Sequence, residues 1–161
     1  MDDLSQILKA LDPEPPAPRQ PRQNPVDHYT HPLLMERAAY LRKMARHGDG
    51  SASETLREYP QHCAMLSFRG RSGEAEVHEN HADLFYVLDG RATLLTGGTV
   101  AAARIIAPGE TRGNAIEGGS PQELRPGDLA HVPAGVPHQM LVAGDKTVTC
   151  FVLKVLENPA P

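Results

Sequence analysis

The sequence predicts an all-β protein, either a sandwich or a barrel, and three features indicate this class. Short runs of β-branched and aromatic residues recur from residue 61 onward, each bounded by turn residues such as Asp89-Gly90 or Pro126-Gly127. Fifteen prolines and fourteen glycines in 161 residues favour many short strands and turns over a helical bundle. No segment of helical length separates the strands, which argues against a parallel βαβ sheet.

The chain before this barrel is predicted to form two further segments. Residues 1–27 form a tail in which apolar residues between Leu4 and Leu11 have helical spacing, followed by a proline-rich linker from Asp12 to Pro25. This tail is either flexible or docks its leucine face on the barrel or on a second subunit. Residues 28–60 are predicted to form a helical cover segment, and residues 61–157 the barrel.

Two helices are predicted in the cover segment. From Thr30 to His47, Pro32 suits a first turn, apolar residues recur on one face, and Gly48 supplies the stop. Ser51-Ala-Ser-Glu54 has the spacing of a capping box, so we expect a brief second helix from Thr55 to Tyr59. Both helices are expected to cover one end or one edge of the sheet.

The strands of the barrel follow from the positions of the turns. The segments Leu84–Leu88 and Ala92–Leu95 are expected to pair as a hairpin across Asp89-Gly90, the dipeptide that strongly favours a two-residue turn. The other predicted strands are Cys63–Phe68, Glu74–His78, Val100–Ile106, Thr111–Ile116, Asp128–Val132, Gln139–Val142 and Thr147–Leu156.

Composition and charge restrict the class of protein. With 40% apolar and 22% charged residues, the chain resembles one soluble globular domain. It has no apolar run of the ~18–20 residues that cross a bilayer and no secretory signal pattern, so we expect a cytoplasmic protein without a membrane partner. A net charge of −4 without a basic cluster argues against nucleic-acid binding. Cys63 and Cys150 are expected to be buried reduced thiols, although a disulfide is the alternative.

A polar segment with metal-binding chemistry precedes the predicted strand Leu84–Leu88. Between Glu74 and Asp83 the chain carries four carboxylates and two histidines. Because residues two apart share a face of a strand, Glu76 and His78 point the same way, and Asp83 joins them if the chain turns between. Imidazole and carboxylate groups that converge on one face of a sheet can bind a divalent metal.

A second segment, Pro126 to Leu141, adds another histidine. It opens with a Pro-Gly turn, runs through a short strand, breaks at a bend rich in proline and glycine, and delivers His138 to the next strand. Together the two segments resemble the two motifs of the cupin superfamily, over roughly Cys63 to Val155. The matching positions of the second motif are Gly127, Pro133, Gly135 and the metal histidine His138.

The first motif resembles the family with substitutions. Counting back from Gly90, which matches the family's turn, Asp83 falls where cupins place their metal glutamate. His78 falls at the second histidine of the His-x-His pair, and Glu76 at the first. The family's usual set of three histidines and one glutamate would thus become two histidines and two carboxylates. The additional negative charge favours a divalent ion and weakens an oxygenase assignment.

This resemblance implies a fold, a cofactor and an assembly. The fold is the double-stranded β-helix, or cupin jelly-roll barrel, and a homodimer is expected. The implied metal ligands are Glu76, His78, Asp83 and His138. This set suits Fe(II), Mn(II), Ni(II) or Zn(II), and the order of metal affinities does not choose among them.

Other polar residues of the predicted barrel are candidates for a ligand site. His131 either lines the pocket as a general acid or base or is a hydrogen-bonded structural histidine. Arg104 and Arg112 lie on strands between the motifs, and we assign Arg112 to binding of an acidic ligand, with a surface position as the alternative. His81 lies off the family spacing and is expected in the turn or at the rim.

Three functions fit these features. The first is a metal-dependent enzyme acting on a small polar metabolite, of isomerase, lyase, hydrolase or dioxygenase type. The second is a sensor or storage protein that binds a small molecule without turnover. The third is a structural cupin with a vestigial pocket. Members of this superfamily share a fold far more than a chemistry, so the resemblance places the site and not the reaction.

Overall fold

The structure, a computed structural model, describes residues 26–157, so the predicted tail helix Leu4–Leu11 and the linker Asp12–Pro25 lie outside it. The described residues form one helix, α1 (His31–His47), and thirteen strands. The strands are β1 (Ser51–Tyr59), β2 (His62–Arg69), β3 (Ala75–His78), β4 (His81–Gly90), β5 (Ala92–Thr96), β6 (Thr99–Ala101), β7 (Arg104–Ala107), β8 (Glu110–Gly113), β9 (Ala115–Glu117), β10 (Ser120–Leu124), β11 (Leu129–Val132), β12 (His138–Leu141) and β13 (Val148–Leu156).

These strands form two main sheets and one short ladder. A five-stranded sheet has the order β1-β2-β13-β4-β11, and a six-stranded sheet has the order β10-β5-β12-β3-β8-β7. Strands β6 and β9 pair separately. The pairings within both sheets are antiparallel, and all neighbours except β1–β2 and β7–β8 are separated in the chain by other strands. The all-β prediction is therefore confirmed.

The main core lies between the two sheets. Val87 of β4 and Val152 of β13 come from one sheet, while Leu94 of β5 and Met140 of β12 come from the other, and all four belong to one buried cluster. Each such side chain contributes about 1.5–3 kcal/mol through removal of apolar surface from water. This interdigitation fixes the distance between the sheets and so the width of the barrel.

A second core lies on the outer face of the five-stranded sheet, under α1. The helix begins and ends as predicted, since the Thr30 hydroxyl accepts a hydrogen bond from the Leu33 N–H and Gly48 follows the last turn. Its buried face packs against Leu66 and Phe68 of β2. The helix residues of this core are Leu34, Ala38, Leu41 and Ala45.

The predicted second helix, Thr55–Tyr59, is wrong, because these residues belong to β1. Strand β1 pairs along its length with β2, from Ser51 opposite Arg69 to Tyr59 opposite His62. The backbone hydrogen bonds of this ladder replace those of a short helix, and Glu54 pairs with Arg37 of α1 instead of capping. The sheet therefore begins at Ser51, although the division of the chain into tail, cover and barrel stays a prediction.

The hairpin predicted across Asp89-Gly90 is also wrong. Strand β4 ends at Gly90 and β5 begins at Ala92, but the two strands belong to different sheets. Gly90 has a φ of 82°, and a Cβ at this position would lie 2.0 Å from the Thr147 carbonyl oxygen. The glycine is therefore needed for close passage beside β13 while the chain crosses between sheets.

Two predicted strands are divided, and β10, like β1, was not predicted. The segment Val100–Ile106 overlaps β6 and β7, which are separated where Ala102 has a positive φ of 51°. The segment Thr111–Ile116 overlaps β8 and β9. Strand β10 contains a proline and polar residues, and it lies at the edge of its sheet, where a proline can be accommodated.

Two further expectations can be compared with the described residues. Cys63 and Cys150 are free thiols, as predicted, with Cys150 buried and Cys63 partly buried. No helix within residues 26–157 has the length and apolar composition required to cross a membrane. The homodimer and the cytoplasmic location stay predictions.

Candidate metal centre

Four side chains converge inside the barrel. They come from three strands: Glu76 and His78 from β3, Asp83 from β4 and His138 from β12. One potential ligand atom of each lies within 4.8 Å of those of the other three. His78, Asp83 and His138 are buried and Glu76 is partly buried. The structure therefore brings together the four residues that the sequence predicts as metal ligands.

Strand alternation and strand pairing explain this convergence. Glu76 and His78 are two residues apart on β3, and only two residues separate β3 from the start of β4, which carries Asp83. Strand β12 runs antiparallel to β3, with His138 opposite Glu76. The bend before β12 is tied to the end of β3, because the Gly135 N–H donates to the His78 carbonyl oxygen at 2.7 Å.

Both imidazoles direct Nε2 toward the common centre. Nδ1 of His138 donates to the Val136 carbonyl oxygen at 3.0 Å, and Nδ1 of His78 donates to Oε2 of Glu110 at 2.6 Å. Metal-binding histidines use this arrangement, in which the outer nitrogen is held by an acceptor. Nε2 of His138 is buried and makes no hydrogen bond to the described residues, although Oδ2 of Asp83 lies 3.4 Å from it. An ion at the centre of the cluster would satisfy this nitrogen.

The two carboxyl groups of the cluster are ionised. Burial raises the pKa of Glu76, but the hydrogen bond with His78 and the charge of Arg112 outweigh it and lower this pKa to about 2. Burial also raises the pKa of Asp83. The imidazoles of His138 and His78 and the ammonium of Lys154 nevertheless hold the pKa of Asp83 well below its usual range.

His78 shows the opposite shift. Burial lowers its pKa, but contacts with Asp83 and Glu76 raise the pKa to about 9. Nε2 of His78 lies 3.3 Å from a carboxylate oxygen of each of these residues. The nearby ammonium of Lys154 opposes the shift without cancelling it. In the metal-free protein near neutral pH, His78 therefore carries a proton that a metal ion would replace.

Lys154 belongs to the cluster and was not predicted. Its Nζ donates to Oδ1 and Oδ2 of Asp83 at 2.8 and 3.1 Å, and it lies 3.0 Å from Nε2 of His78. The register of β13 against β4 places Lys154 directly opposite Asp83. One sequence signal was available, since Lys154 is the only charged residue in the otherwise apolar and small-residue strand β13. Its charge and the proton on His78 balance the two carboxylates.

Arg112, the predicted ligand-binding residue, lies beside the cluster but its guanidinium is engaged. Nη1 lies 3.1 Å from Oε2 of Glu110, and Nε lies 3.7 Å from Oε1 of Glu76. Both Arg112 and Glu110 come from β8, where Arg112 pairs with Glu76 and Glu110 pairs with His78. This geometry gives Arg112 and Glu110 the role of orienting Glu76 and His78.

His131, predicted as a general acid or base, lies on the other side of the sheet. It pairs with Leu84 of β4, whereas the next residue, Val132, pairs with Asp83. Because directly paired residues share a face, His131 faces away from Asp83. Its side chain is 51% exposed, and its Nε2 lies 3.8 Å from Glu157. His131 therefore does not contact the cluster, in contrast to its predicted catalytic role.

His81 lies in a strand and not in the expected turn, and Arg104 lies at the surface. His81 begins β4 and is partly exposed, outside the four-residue cluster. Arg104 is half exposed and forms an ion pair with Glu74.

A cavity of about 250 Å³ opens onto the cluster. Pockets for drug-sized ligands have about 300–1,000 Å³, so this volume suits a small metabolite. Besides Glu76, Asp83 and His138, the wall includes apolar and polar side chains. The apolar ones are Met65, Phe85, Met140 and Val152, and the polar ones include Ser53, Ser67, Arg69, Gln139 and Lys154.

Comparison with known proteins finds matches among solved structures. No protein-family model matches the sequence, and no curated protein matches it. The protein TT1209 from Thermus thermophilus has 19% sequence identity and a TM-score of 0.52, covering 73% of this chain and 95% of its own. A Klebsiella pneumoniae protein with a double-stranded β-helix domain has 16% identity and a TM-score of 0.50, covering 68% and 80%. The cupin domain of Schizosaccharomyces pombe Cnp3 has 13% identity and a TM-score of 0.49, covering 66% and 61%.

The chain is a cupin-fold protein, since its two antiparallel sheets form the double-stranded β-helix that the sequence predicted. Within that fold it carries a four-residue candidate metal centre that opens into a cavity. Sequence identities of this level show the fold alone. The function is therefore argued from the cluster and the cavity.

Proposed function

We propose that this protein holds a divalent metal ion at Glu76, His78, Asp83 and His138 and is an enzyme acting on a small polar metabolite. The observation that carries the proposal is the buried Nε2 of His138, which lacks a hydrogen-bond partner among the described residues and faces the cluster. Two imidazole nitrogens and two carboxylates suit Fe(II), Mn(II), Ni(II) or Zn(II). When bound, such an ion supplies Lewis acidity toward a ligand oxygen.

The charges of the cluster support a divalent ion. The carboxylates of Glu76 and Asp83 are offset by the ammonium of Lys154 and by the proton on His78. A divalent cation brings the same two positive charges, so it can replace the His78 proton and the contact of Lys154 with Asp83. The four residues and the lysine therefore define two alternative arrangements of one site, a neutral metal-free one and a metal-bound one in which the ion balances the two carboxylates and Lys154 keeps its positive charge.

The groups around the cluster support chemistry of isomerase or lyase type. Glu110 holds Nδ1 of His78 and so fixes the ring and increases the basicity of Nε2. Lys154, once released from Asp83, is an ammonium group inside the cavity that can donate a proton to a ligand oxygen or carbon. Isomerases and lyases need such a proton donor beside a polarised carbonyl or hydroxyl group.

A second candidate is a protein that binds a small molecule without metal and without turnover. It is favoured by Lys154, which supplies a positive charge to Asp83 at hydrogen-bond distance. In this case the cluster is an ion-pair network that shapes one end of the cavity. The two candidates differ in metal content and in metal affinity.

Elemental analysis of protein purified without a nickel column and without chelator tests the proposal. We expect about one divalent ion per chain in the wild type, because a buried four-donor site retains its metal during purification. His138→Ala should lose this metal, since it removes the unpartnered Nε2. Asp83→Asn should retain much less, because the amide keeps the shape and loses the charge. His81→Ala, which changes a neighbouring histidine outside the cluster, is the matched control and should retain its metal.

Two results would contradict the proposal in different ways. A wild-type protein that contains no metal and takes up neither Zn(II) nor Mn(II) in a calorimetric titration would refute the metal enzyme and support the second candidate. Loss of metal from His81→Ala with retention in His138→Ala would show that the ligands are assigned wrongly.

A further inference from the structure

Arg69 is the one cation in the cavity wall that lacks a carboxylate partner within residues 26–157. Arg112 is engaged by Glu110 and Glu76, and Lys154 is engaged by Asp83. Arg69 lines the same cavity and has neither an ion pair nor a hydrogen bond from its side chain to any described residue. Arg69 was not among the predicted site residues.

The position of Arg69 follows from strand alternation along β2. Leu66 and Phe68 face α1, so Ser67 and Arg69 face the interior, and both line the cavity. The guanidinium packs closely on Gly73, where a Cβ would lie 2.8 Å from Nη1 and 3.0 Å from Cζ. Burial raises the pKa of the Cys150 thiol to about 12, and the charge of Arg69 acts against this rise. Cys150 is buried and pairs with Ser67, two residues from Arg69 on the same face of β2.

An unpaired guanidinium in a partly enclosed site favours the binding of an anion. Withdrawal of a charge from water is unfavourable unless a partner replaces the lost hydration. The fork of an arginine matches a carboxylate through two parallel hydrogen bonds. Ser67, two residues away on the same face, adds a hydroxyl group that has no side-chain hydrogen bond to the described residues.

We propose that Arg69 binds the carboxylate of the ligand, so that the substrate is a small organic monocarboxylate with an oxygen function at its other end. The oxygen end rests on the proposed function, because it would face the metal centre. The carboxylate contact does not depend on metal. Phe85 and Met140 line the cavity and provide apolar surface for the carbon chain.

Charge favours a monocarboxylate over a phosphate. One unpaired guanidinium matches one negative charge. The same cavity already contains the carboxylates of Glu74, Glu76 and Asp83, which repel a dianion. The volume of about 250 Å³ also limits the ligand to a short chain.

An NMR titration of the full chain with butyrate and butyramide tests this proposal, because the two probes have the same shape and differ in charge. We expect the wild type to bind butyrate more tightly than butyramide. Arg69→Met should weaken butyrate binding roughly 10- to 100-fold, the range for loss of one charge-assisted contact, and leave butyramide binding unchanged. Arg125→Met, which changes an exposed arginine paired with Glu123 outside the cavity, is the matched control.

A second variant moves the guanidinium without removing it. Gly73→Ala places a Cβ against Arg69, and the backbone of Gly73 is outside the left-handed region, so the alanine is not strained by its φ. We expect weaker butyrate binding with a melting temperature close to that of the wild type. This variant keeps the test decisive if Arg69→Met does not fold.

Three outcomes would overturn the inference. They are equal affinity of the wild type for butyrate and butyramide, full butyrate affinity in a folded Arg69 variant and in Gly73→Ala, and tighter binding of inorganic phosphate than of butyrate through Arg69. The same titration on His138→Ala separates this inference from the proposed function. Butyrate binding that persists in this variant supports the role of Arg69 whatever its metal content.

Discussion

Replacement of Lys154 by methionine removes the ammonium that competes with a metal ion for Asp83. Nζ lies 2.8 and 3.1 Å from the two carboxylate oxygens, and the two side chains are 28% and 3% exposed. A charge-assisted hydrogen bond of this kind contributes about 1.5–3 kcal/mol. Because the ion has to displace this contact, we expect Lys154→Met to bind metal roughly 10- to 100-fold more tightly, at about 1.4 kcal/mol per factor of ten.

The same substitution should destabilise the metal-free protein. It leaves the buried carboxylate of Asp83 without its ammonium partner, and loss of one member of a buried pair costs about 3 kcal/mol or more. For a chain of this size, about 3 kcal/mol corresponds to a decrease of roughly 6–12 °C in melting temperature. Saturation with metal should recover this loss, because the ion replaces the missing charge.

Competition between the protein and a chelator of known affinity for Zn(II) measures the first effect, and calorimetry with and without metal measures the second. Lys146→Met is the matched control, because Lys146 is an exposed lysine that also pairs with an aspartate. It should change neither quantity. Metal affinity of Lys154→Met equal to or below that of the wild type would refute the competition between ammonium and ion.

Two further predictions concern stability. In the metal-free protein, His78 stabilises the fold at pH values below its ordinary pKa of 6.5, and this stabilisation is lost as pH rises through its folded-state pKa of about 9. Glu76 stabilises the fold at pH values above its ordinary pKa of 4.5, and this stabilisation is lost as pH falls through its folded-state pKa of about 2. Calorimetry should therefore show maximal stability between pH 4.5 and 6.5, and a flat profile from about pH 3 to 9 would contradict these shifts. Gly90→Ala should lower the free energy of unfolding by about 3 kcal/mol or more in chemical denaturation, because Gly90 has a φ of 82° and the added Cβ would overlap the Thr147 carbonyl oxygen. Gly97→Ala should lower it by only about 1–2 kcal/mol, because Gly97 has a φ of 74° but its Cβ would lie in open space. Equal losses would show that the close passage beside β13 is not the reason for Gly90.

The four candidate ligands could be predicted because their positions follow from patterns within short segments of the sequence. A period of two relates Glu76 to His78, and a turn of two residues brings Asp83 to the same face. His138 follows a bend whose proline and glycine positions resemble a known motif. These signals depend on neighbours in sequence, so they survive errors elsewhere in the predicted topology.

The errors have a common physical origin in strand pairing. A capping-box pattern at Ser51 favours a helix locally, but β2 offers β1 a ladder along its whole length. Asp89-Gly90 favours a hairpin locally, but β13 lies beside β4 and requires a glycine for its close approach. In both cases hydrogen bonds to another strand determine the outcome. Strand β2 follows β1 directly in the chain and β13 is distant from β4, but neither short pattern includes the partner strand.

Lys154 and Arg69 were missed for a related reason. They lie on β13 and β2, which are neighbours inside the five-stranded sheet. On β2, Leu66 and Phe68 pack under α1 while the opposite face lines the cavity, so apolar residues occupy both faces and alternation does not identify the interior. A single cation in such a strand is unfavourable, because the apolar surface on either side does not solvate its charge unless an acid or a ligand is present. Lys154 has that acid in Asp83, and Arg69, which has none among the described residues, is for that reason the residue whose partner we expect to be the ligand.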